Sequence, residues 1–485
     1  MRASTSKRTR VCVPVCETDL DALRNSCELA TEWADVIELR LDCLEALPED
    51  IASVFSRPVI LTFRPSEQGG HRDATHAERK AFWTSLAPQI KSDWWDVEAD
   101  LVTELPVNSP RIIVSHHDFS GVPDDLEQIY ERLAATPAAV VKIAVQANDI
   151  TDCLPVFQLL DRARNEDREL IAIAMGNAGI ATRILGPSRG SFLTYGALDD
   201  DSATAPGQVN ARKLRSLYHV DKIDSETMIC GLVGLPVMHS VSPQFHNAAF
   251  ASEGINGVYL PFEVRDAKEF FRRMVHPRSR ELSWNLRGLS VTAPHKQTVM
   301  ECLDWIDPMA KEIGAVNTVV VERDRLLGYN TDAAGFIEPL LGRFGSLRDA
   351  KVAVIGAGGA ARAAVYALRQ QDAVVTLFAR DTVKAQQLFD VPCESLSDAS
   401  FAGYDCVVNA TPLGSGAHID QTPATGEQLN GVRCVYDLIY NPGETRLMRE
   451  AIAAGCETLG GLEMLIAQAK LQFKLWINPA PPNVL

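Results

Sequence analysis

Ala138-Ala-Val-Val-Lys-Ile-Ala-Val145 is a run of small and β-branched apolar residues interrupted by a single lysine. It is too short for a helix and lacks polar alternation, so it reads as a strand covered on both faces, the kind that parallel sheets bury. Working outward, similar runs occur at Val11–Val15, Val36–Leu41, Val59–Phe63, Trp94–Glu98, Arg111–Ser115, Leu170–Met175 and Phe192–Tyr195, and the quoted strand itself covers Ala139–Val145. Segments of helical period, Leu20–Trp33, Asp124–Ala135 and Leu154–Arg164, lie between several of them. Eight strands joined by crossovers within about 200 residues fit a closed (β/α)8 TIM barrel better than an open sheet.

The rhythm restarts at Met228–Leu232, and again at Lys351–Ile355 after the glycine-rich, charged stretch Gly342–Asp349. The chain is therefore expected to be α/β throughout, with domains at 1–224, 225–345 and 346–455 and a C-terminal segment, 456–485, ending in a loose tail from Asn478. Hydrophobic residues make up 46% and charged residues 23% of its 485 positions, which excludes disordered and collagen-like classes. A formal charge of -16 argues against nucleic-acid and membrane partners, and no apolar run approaches the ~20 residues of a membrane span. The 11 cysteines are scattered with no CxxC pair. No metal site is indicated, and reduced thiols in a cytoplasmic enzyme are the simplest expectation. Met1–Arg10 is basic, lacks an apolar core of the secretory kind, and is very short for an organelle leader. Small molecules are the expected partners, with self-association left open.

In a barrel of this kind, functional groups sit at the C-terminal ends of strands. Glu38, Arg40, Arg64, His116, His117, Lys142 and Arg183 fall there. Apolar neighbours on both sides of Lys142 imply desolvation, which favours a neutral, nucleophilic amine able to form an imine with a ketone. His117 is placed to move a proton. A lysine snorkelling from a strand end fits the same local pattern equally well.

Further along, Val352-Ala-Val-Ile-Gly-Ala-Gly-Gly-Ala-Ala-Arg-Ala363 is a strand running into a helix. Gly356 permits the tight turn, Gly358 lets a backbone approach a pyrophosphate, and Ala357, Gly359 and Ala360 complete the cradle. The next strand, Val374–Phe378, is followed by Ala379-Arg380-Asp381, with Lys384 nearby. A guanidinium at that strand end favours the 2′-phosphate of NADP over the bare ribose of NAD. Lys296 and Asp332 form a natural proton-handling pair. Hydroxyls at Ser240, Ser242 and Thr292 suit a polyhydroxylated ring, although each also fits ordinary turn chemistry.

Two resemblances organise these residues. Val36-Ile-Glu-Leu-Arg-Leu-Asp42, Thr62-Phe-Arg64, Ser115-His-His-Asp-Phe119, Val141-Lys-Ile-Ala-Val145, Met175-Gly with Gly179 and Thr182-Arg183, and Ala203-Thr-Ala-Pro-Gly-Gln208 resemble type I 3-dehydroquinate dehydratase over roughly residues 10–215. The resemblance implies Lys142 as Schiff-base lysine and His117 as general acid/base, with Glu38, Arg40, Arg64, Arg183, Thr204 and Gln208 holding the substrate. Gln68 stands where that family usually has a glutamate, and Glu67 is one residue early. Glutamine accepts a hydrogen bond but supplies no charge to an imidazolium, so either proton transfer is slower by about one to two orders of magnitude or Glu67 takes over through a shifted loop.

Gly231-Leu-Val-Gly-Leu-Pro-Val-Met-His-Ser-Val-Ser-Pro243, Leu289-Ser-Val-Thr-Ala-Pro-His-Lys296, Gly314-Ala-Val-Asn-Thr318, Gly328-Tyr-Asn-Thr-Asp332, Asn409-Ala-Thr-Pro-Leu-Gly414, Tyr436-Asp-Leu-Ile-Tyr-Asn-Pro442 and Gly461-Leu-Glu-Met-Leu-Ile-Ala-Gln-Ala469 resemble shikimate dehydrogenase over about residues 226–477. That resemblance implies Lys296 and Asp332 as the catalytic pair, contacts to substrate from Ser240, Ser242, Thr292, Asn317, Tyr440 and Gln468, and a final helix near Leu462–Trp476 that packs back on the middle domain. Val241 and Ser290 depart from its usual basic residue and asparagine. Together the halves imply successive dehydration of 3-dehydroquinate and NADPH-dependent reduction to shikimate. Three alternatives stay open: a quinate-active dehydrogenase, a single active half with an attenuated dehydratase, and a metabolite sensor without turnover.

Overall fold

The computed structural model describes residues 9–46, 56–105, 111–397 and 399–478. The expected loose tail beyond Asn478, like the basic start before Thr9, lies outside them. Two compact units are present, Met1–Val275 with Ser279–Leu286, and His276–Arg278 with Arg287–Leu485.

In the first unit, strands β1 (Val11–Val15), β2 (Val36–Arg40), β3 (Val59–Thr62), β4 (Trp94–Glu98), β5 (Arg111–Asp118), β6 (Val140–Gln146), β7 (Leu170–Met175) and β8 (Thr194–Tyr195) form one eight-stranded sheet. Neighbouring strands pair in parallel, and β1 pairs with β8. A bridge from Leu170 to Ser191, with the Phe192 N–H donating to the Leu170 carbonyl at 2.8 Å, closes the circle. All eight expected strands are present, with ends shifted by up to three residues. The largest change is in β5, which continues through His116 and His117 to Asp118 and so fixes both imidazoles on a strand rather than a loop.

The interior is layered because alternate residues of a strand face the same side. Cys12, Val36, Ile60, Trp94, Ile113, Val140 and Ile171 form a buried apolar layer. Two residues further along five of these strands, the same face carries Glu38, Thr62, Asp96, Ser115 and Lys142, all buried. One more step gives Arg40, Arg64, Glu98 and His117. The barrel thus has an apolar floor and a polar second storey.

Past the strand ends, Cys16 and Cys43 are joined as a disulfide, which corrects the expectation of uniformly reduced thiols. Because β1 and β2 pair with Val15 opposite Leu39, the residues leaving them emerge side by side, with Cα atoms 5.5 Å apart. Their separation of 27 residues hid this in the sequence. The first unit also contains β9 (Met228–Gly234) and β10 (Gly257–Glu263), which pair in parallel.

In the second unit, β11 (Leu286–Val291), β12 (Trp305–Ile306), β13 (Thr318–Val321) and β14 (Leu326–Tyr329) lie in the order β11-β13-β14-β12, antiparallel except at β12. A second sheet is parallel throughout, ordered β17-β16-β15-β18-β19-β20, from β15 (Lys351–Ile355), β16 (Val374–Ala379), β17 (Cys393–Ser395), β18 (Cys406–Asn409), β19 (Cys434–Asp437) and β20 (Glu457–Gly460). The helix Asp332–Phe344 runs through Gly342 instead of breaking there. Leu341 and Phe344 pack on the adjoining core and carry it to Gly345, where φ reaches 70° and the turn begins.

The helix Gly461–Ile477 packs against Asp332–Phe344, and its Trp476 Nε1–H donates to the Val319 carbonyl at 3.1 Å. Gly335 makes that approach possible: a Cβ there would stand 2.7 Å from the Cβ of Gln468 and 2.8 Å from its backbone nitrogen. Gly335→Ala is therefore expected to cost about 1–3 kcal/mol by overpacking. A clear fall in the urea midpoint of the second unit's unfolding checks this, and an unchanged midpoint contradicts it.

Candidate active sites

At the top of the barrel, a cavity is lined by Glu38, Arg40, Arg64, Gln68, His117, Lys142, Arg183, Tyr195, Thr204 and Gln208, together with Phe119 and Met175. All eight residues expected to act here from the barrel half face this one cavity. Lys142 is 6% exposed. Its Nζ lies 2.7 Å from Asp96 Oδ2, 3.0 Å from the Tyr195 hydroxyl and 3.5 Å from Glu38 Oε1, and 4.4 Å above the Tyr195 ring. The amine is buried as expected, but its surroundings are ionic rather than apolar. The apolar neighbours in sequence alternate or pack outward, while the lysine looks inward at carboxylates from facing strands.

Asp96 is completely buried, and burial alone would push its carboxyl up. Arg64, then Lys142, outweighs that and holds it well below the usual carboxylate range. Arg64 donates to Asp96 Oδ2 and Glu98 Oε1, each at 2.8 Å, and to Ser115 Oγ at 2.6 Å. Burial and the Asp96 charge raise the Glu98 carboxyl against the opposing pull of Arg64. Arg40 is likewise engaged, as a fork onto Asp42 at 3.0 and 2.8 Å.

Arg183 differs from these cations. It is 1% exposed, donates to the Pro206 carbonyl at 3.2 Å, and has no carboxylate partner among the described residues. Burial pulls its guanidinium down to about 10. A buried cation without a counter-ion on a cavity wall is a receptor for an anion. Beside it, Thr204 and Gln208 bond each other across a turn, the Thr204 N–H donating to Gln208 Oε1 at 2.8 Å. Gly207, with φ of 68°, lets that turn close on Gly176, whose carbonyl oxygen a Cβ would meet at 2.1 Å.

Burial, reinforced by Arg64 and Lys142, keeps the His117 imidazole well below its ordinary value, and its Nδ1 has no hydrogen-bond partner among the described residues. Gln68 Oε1 accepts from the backbone N–H of His117 at 3.1 Å, so it supports the strand rather than the ring, unlike the contact expected from sequence. Glu67 is exposed on the turn Ser66–Gln68. Reasoning from sequence missed Asp96, Glu98 and Tyr195, although all three lie within runs read as strands, and the inward register of Trp94 points to the first two.

In the second unit, Lys296 Nζ lies 2.5 Å from Asp332 Oδ2. Asp332 opens its helix, capped by Asn330 Oδ1, which accepts from the N–H groups of Asp332 and Ala333 at 3.0 and 3.2 Å. Asn317 Nδ2 donates to Asp332 Oδ1 at 2.7 Å, to Thr331 Oγ1 at 3.0 Å and to Gln468 Oε1 at 3.4 Å. The final helix adds Gln472, whose Oε1 accepts from Ser290 at 2.8 Å and whose Nε2 donates to the Asn317 carbonyl at 3.2 Å. Ser290 thus serves this internal network. Thr292 and Tyr440 are half-buried, one just past β11 and the other just past β19. Ser240 and Ser242 bond each other at 3.0 Å within the first compact unit.

Gly356, with φ of 115°, turns the chain out of β15, and its N–H donates to the Phe378 carbonyl at 2.9 Å. A Cβ on Gly358, the residue before helix Gly359–Arg369, would meet nothing within 4 Å, so this approach is open. A Cβ on Gly359 would lie 3.3 Å from Cδ of Lys296, which puts the cradle against the Lys296–Asp332 pair. Ala357 and Ala360 flank these positions. At the end of β16, Arg380 is exposed, while the Asp381 carboxylate is occupied in capping the next helix through the Lys384 N–H at 2.9 Å. The open cradle and a guanidinium with no carboxylate partner among the described residues fit a phosphorylated dinucleotide.

The model of type I 3-dehydroquinase matches residues 11–225, and that of the shikimate dehydrogenase substrate binding domain matches residues 232–319. A bifunctional 3-dehydroquinate dehydratase/shikimate dehydrogenase of Arabidopsis thaliana, described as chloroplastic, is 33% identical over 98% of this chain and 83% of its own length. The chain belongs to this bifunctional family. An NADP(+) shikimate dehydrogenase of Carboxydothermus hydrogenoformans is 39% identical over 54% of this chain and 95% of itself. A solved shikimate dehydrogenase in complex with NADP+ has 38% identity, covering 53% of this chain and 93% of its own, with a TM-score of 0.50. Among the described residues, no helix is long and apolar enough to cross a membrane.

His117 binds a proton less readily folded than unfolded. Its contribution to stability is intact above the ordinary imidazole value near 6.5 and is lost as pH falls below it. In the free protein its ring is expected to titrate clearly below 6.5 by NMR, and Gln68→Glu, which adds a nearby negative charge, to move that titration upward. A wild-type midpoint at or above 6.5 contradicts the buried, cation-flanked setting.

Proposed function

We propose that this chain dehydrates 3-dehydroquinate in its barrel and reduces the product, 3-dehydroshikimate, to shikimate in its second half with NADPH. The observation that carries the first step is Lys142 buried beneath a cavity whose wall holds Arg183 without a counter-ion. Arg183 takes the substrate carboxylate, and Thr204 and Gln208 hold its hydroxyls. The Lys142 amine attacks the ketone carbon, and two of the three ammonium protons leave with the carbonyl oxygen as water, which gives a protonated imine. The imine accepts the electron pair left when His117 removes the adjacent proton. Loss of the ring hydroxyl, protonated by the same imidazole, gives the conjugated product after hydrolysis returns the lysine.

In the second half, Lys296, placed by Asp332, gives a proton to the oxygen of the ketone being reduced. Asn317 and Gln468 hold Asp332, and Thr292 and Tyr440 bind the ring. NADPH, held by residues 356–360 and Arg380 with Lys384, supplies the hydride when bound. Retention of Lys142, His117, Lys296 and Asp332 favours turnover over sensing. We further infer domain limits at 224/225 and 345/346, with 456–485 joining the middle domain, and a cytoplasmic setting.

A coupled assay from 3-dehydroquinate with NADPH tests this reading. Lys142→Ala is expected to abolish dehydration and leave reduction of added 3-dehydroshikimate intact, and Lys296→Ala to do the reverse. Loss of both steps in either variant contradicts two independent sites. Arg380→Ala is expected to raise the KM for NADPH about tenfold with little effect on NADH, the loss of one charge-assisted phosphate contact. An equal effect on both cofactors contradicts the role given to Arg380.

A further inference from the structure

Beside the barrel cavity, next to the Asp42 carboxylate that holds Arg40, Cys16, Cys43 and His71 each offer a metal-ligand atom, and these atoms lie within 4.8 Å of one another. The three residues come from loops following successive strands β1, β2 and β3. The loops are tied by bonds that do not involve sulfur. The Glu45 N–H donates to the Thr18 carbonyl at 2.9 Å. The His71 N–H donates to Asp42 Oδ2 at 3.1 Å, and Arg72 donates to the carbonyls of Asp42 and Glu45 at 3.3 and 3.1 Å, and also to that of Leu44. The cluster therefore stays together whether or not the two sulfurs are bonded. His71 is exposed and the cysteines are half-buried, so the cluster is open to solvent on one side.

We propose that Cys16, Cys43 and His71, with the Cys16–Cys43 bond reduced, form a site for a thiophilic divalent cation, with zinc the best match. A dithiol delivers two electrons and two protons to the bond and becomes a disulfide itself. The cation then replaces the two thiol protons, which pass to solvent. In a tetrahedral zinc centre with Zn–S about 2.3 Å and Zn–N about 2.0–2.1 Å, ligand atoms stand roughly 3.4–3.8 Å apart, so the two sulfurs must separate once reduced, while the three atoms need reach no further than the 4.8 Å within which they already lie. Two thiolates and an imidazole select zinc over magnesium or calcium, and the exposed side leaves a fourth position for water. The sequence showed no zinc spacing because the ligands come from three strand ends rather than one loop.

Cobalt(II) uptake by the full-length protein tests this, because thiolate ligation gives a near-ultraviolet charge-transfer band. After reduction with dithiothreitol and anaerobic desalting, the wild type is expected to take up one equivalent with that band and to lose it on adding zinc. Oxidised wild type and a Cys16→Ser/Cys43→Ser variant of unchanged circular dichroism are expected to lack it. His71→Ala is expected to weaken cobalt binding at least tenfold. Reduced wild type that takes up no more thiolate-bound cobalt than the double variant overturns the proposal, and so does a His71→Ala protein that binds cobalt as tightly as wild type.

Discussion

Two buried cations, Lys142 and Arg64, share one carboxylate oxygen of the buried Asp96, at 2.7 and 2.8 Å. Burying an ion costs several kcal/mol even after relaxation, and only partners of opposite charge at close range offset it. Arg64 therefore also reaches Glu98, Glu98 reaches Arg79 at 3.3 Å, and Arg79 reaches Asp100 at 2.6 Å near the surface. The charge chain runs from the Lys142 amine to Asp100, which is half exposed. Removing any inner member strands its neighbours in a low dielectric, so the geometry of the whole storey is specified together.

The second half solves its problem differently. Lys296 is partly open to solvent and needs one partner, Asp332, whose position is set by a helix start and by Asn317. Asn317 in turn is held by Gln468 and Gln472 from the final helix, so a segment more than a hundred residues away in sequence braces the Lys296–Asp332 pair. Close helix approach at Gly335 is the condition for that brace. One site is built by strand alternation inside a closed sheet, the other by loops at sheet ends cross-braced by a helix.

Most of the barrel was legible because each strand is a short apolar run set off by turn residues or helical pattern, and β5 ran longer only because Ser115–Asp118 looks polar in isolation. Within the site, residues at strand ends were found, but the inner partners of Lys142 were not. Asp96 and Glu98 lie two and four positions after Trp94, on the same inward face, and counting by twos from the apolar layer would have reached them. Gln68 was noticed for its identity, yet its partner proved to be a backbone N–H of His117, which no side-chain pattern reveals. The Cys16–Cys43 pair depends on which strands lie side by side, a property of topology. In the second half, glycine spacing marked the cradle, while the roles of Ser290 and Gln472 depended on where the last helix lands.

In the proposed dehydration, the Lys142 amine meets a ketone above the charged storey. Borohydride reduction in the presence of 3-dehydroquinate, followed by peptide mass spectrometry, addresses it directly. A stable adduct on the peptide containing Lys142, absent without the ketone, is the result this account predicts. Dehydration that proceeds with no adduct at Lys142, or with an adduct on another lysine, would contradict it.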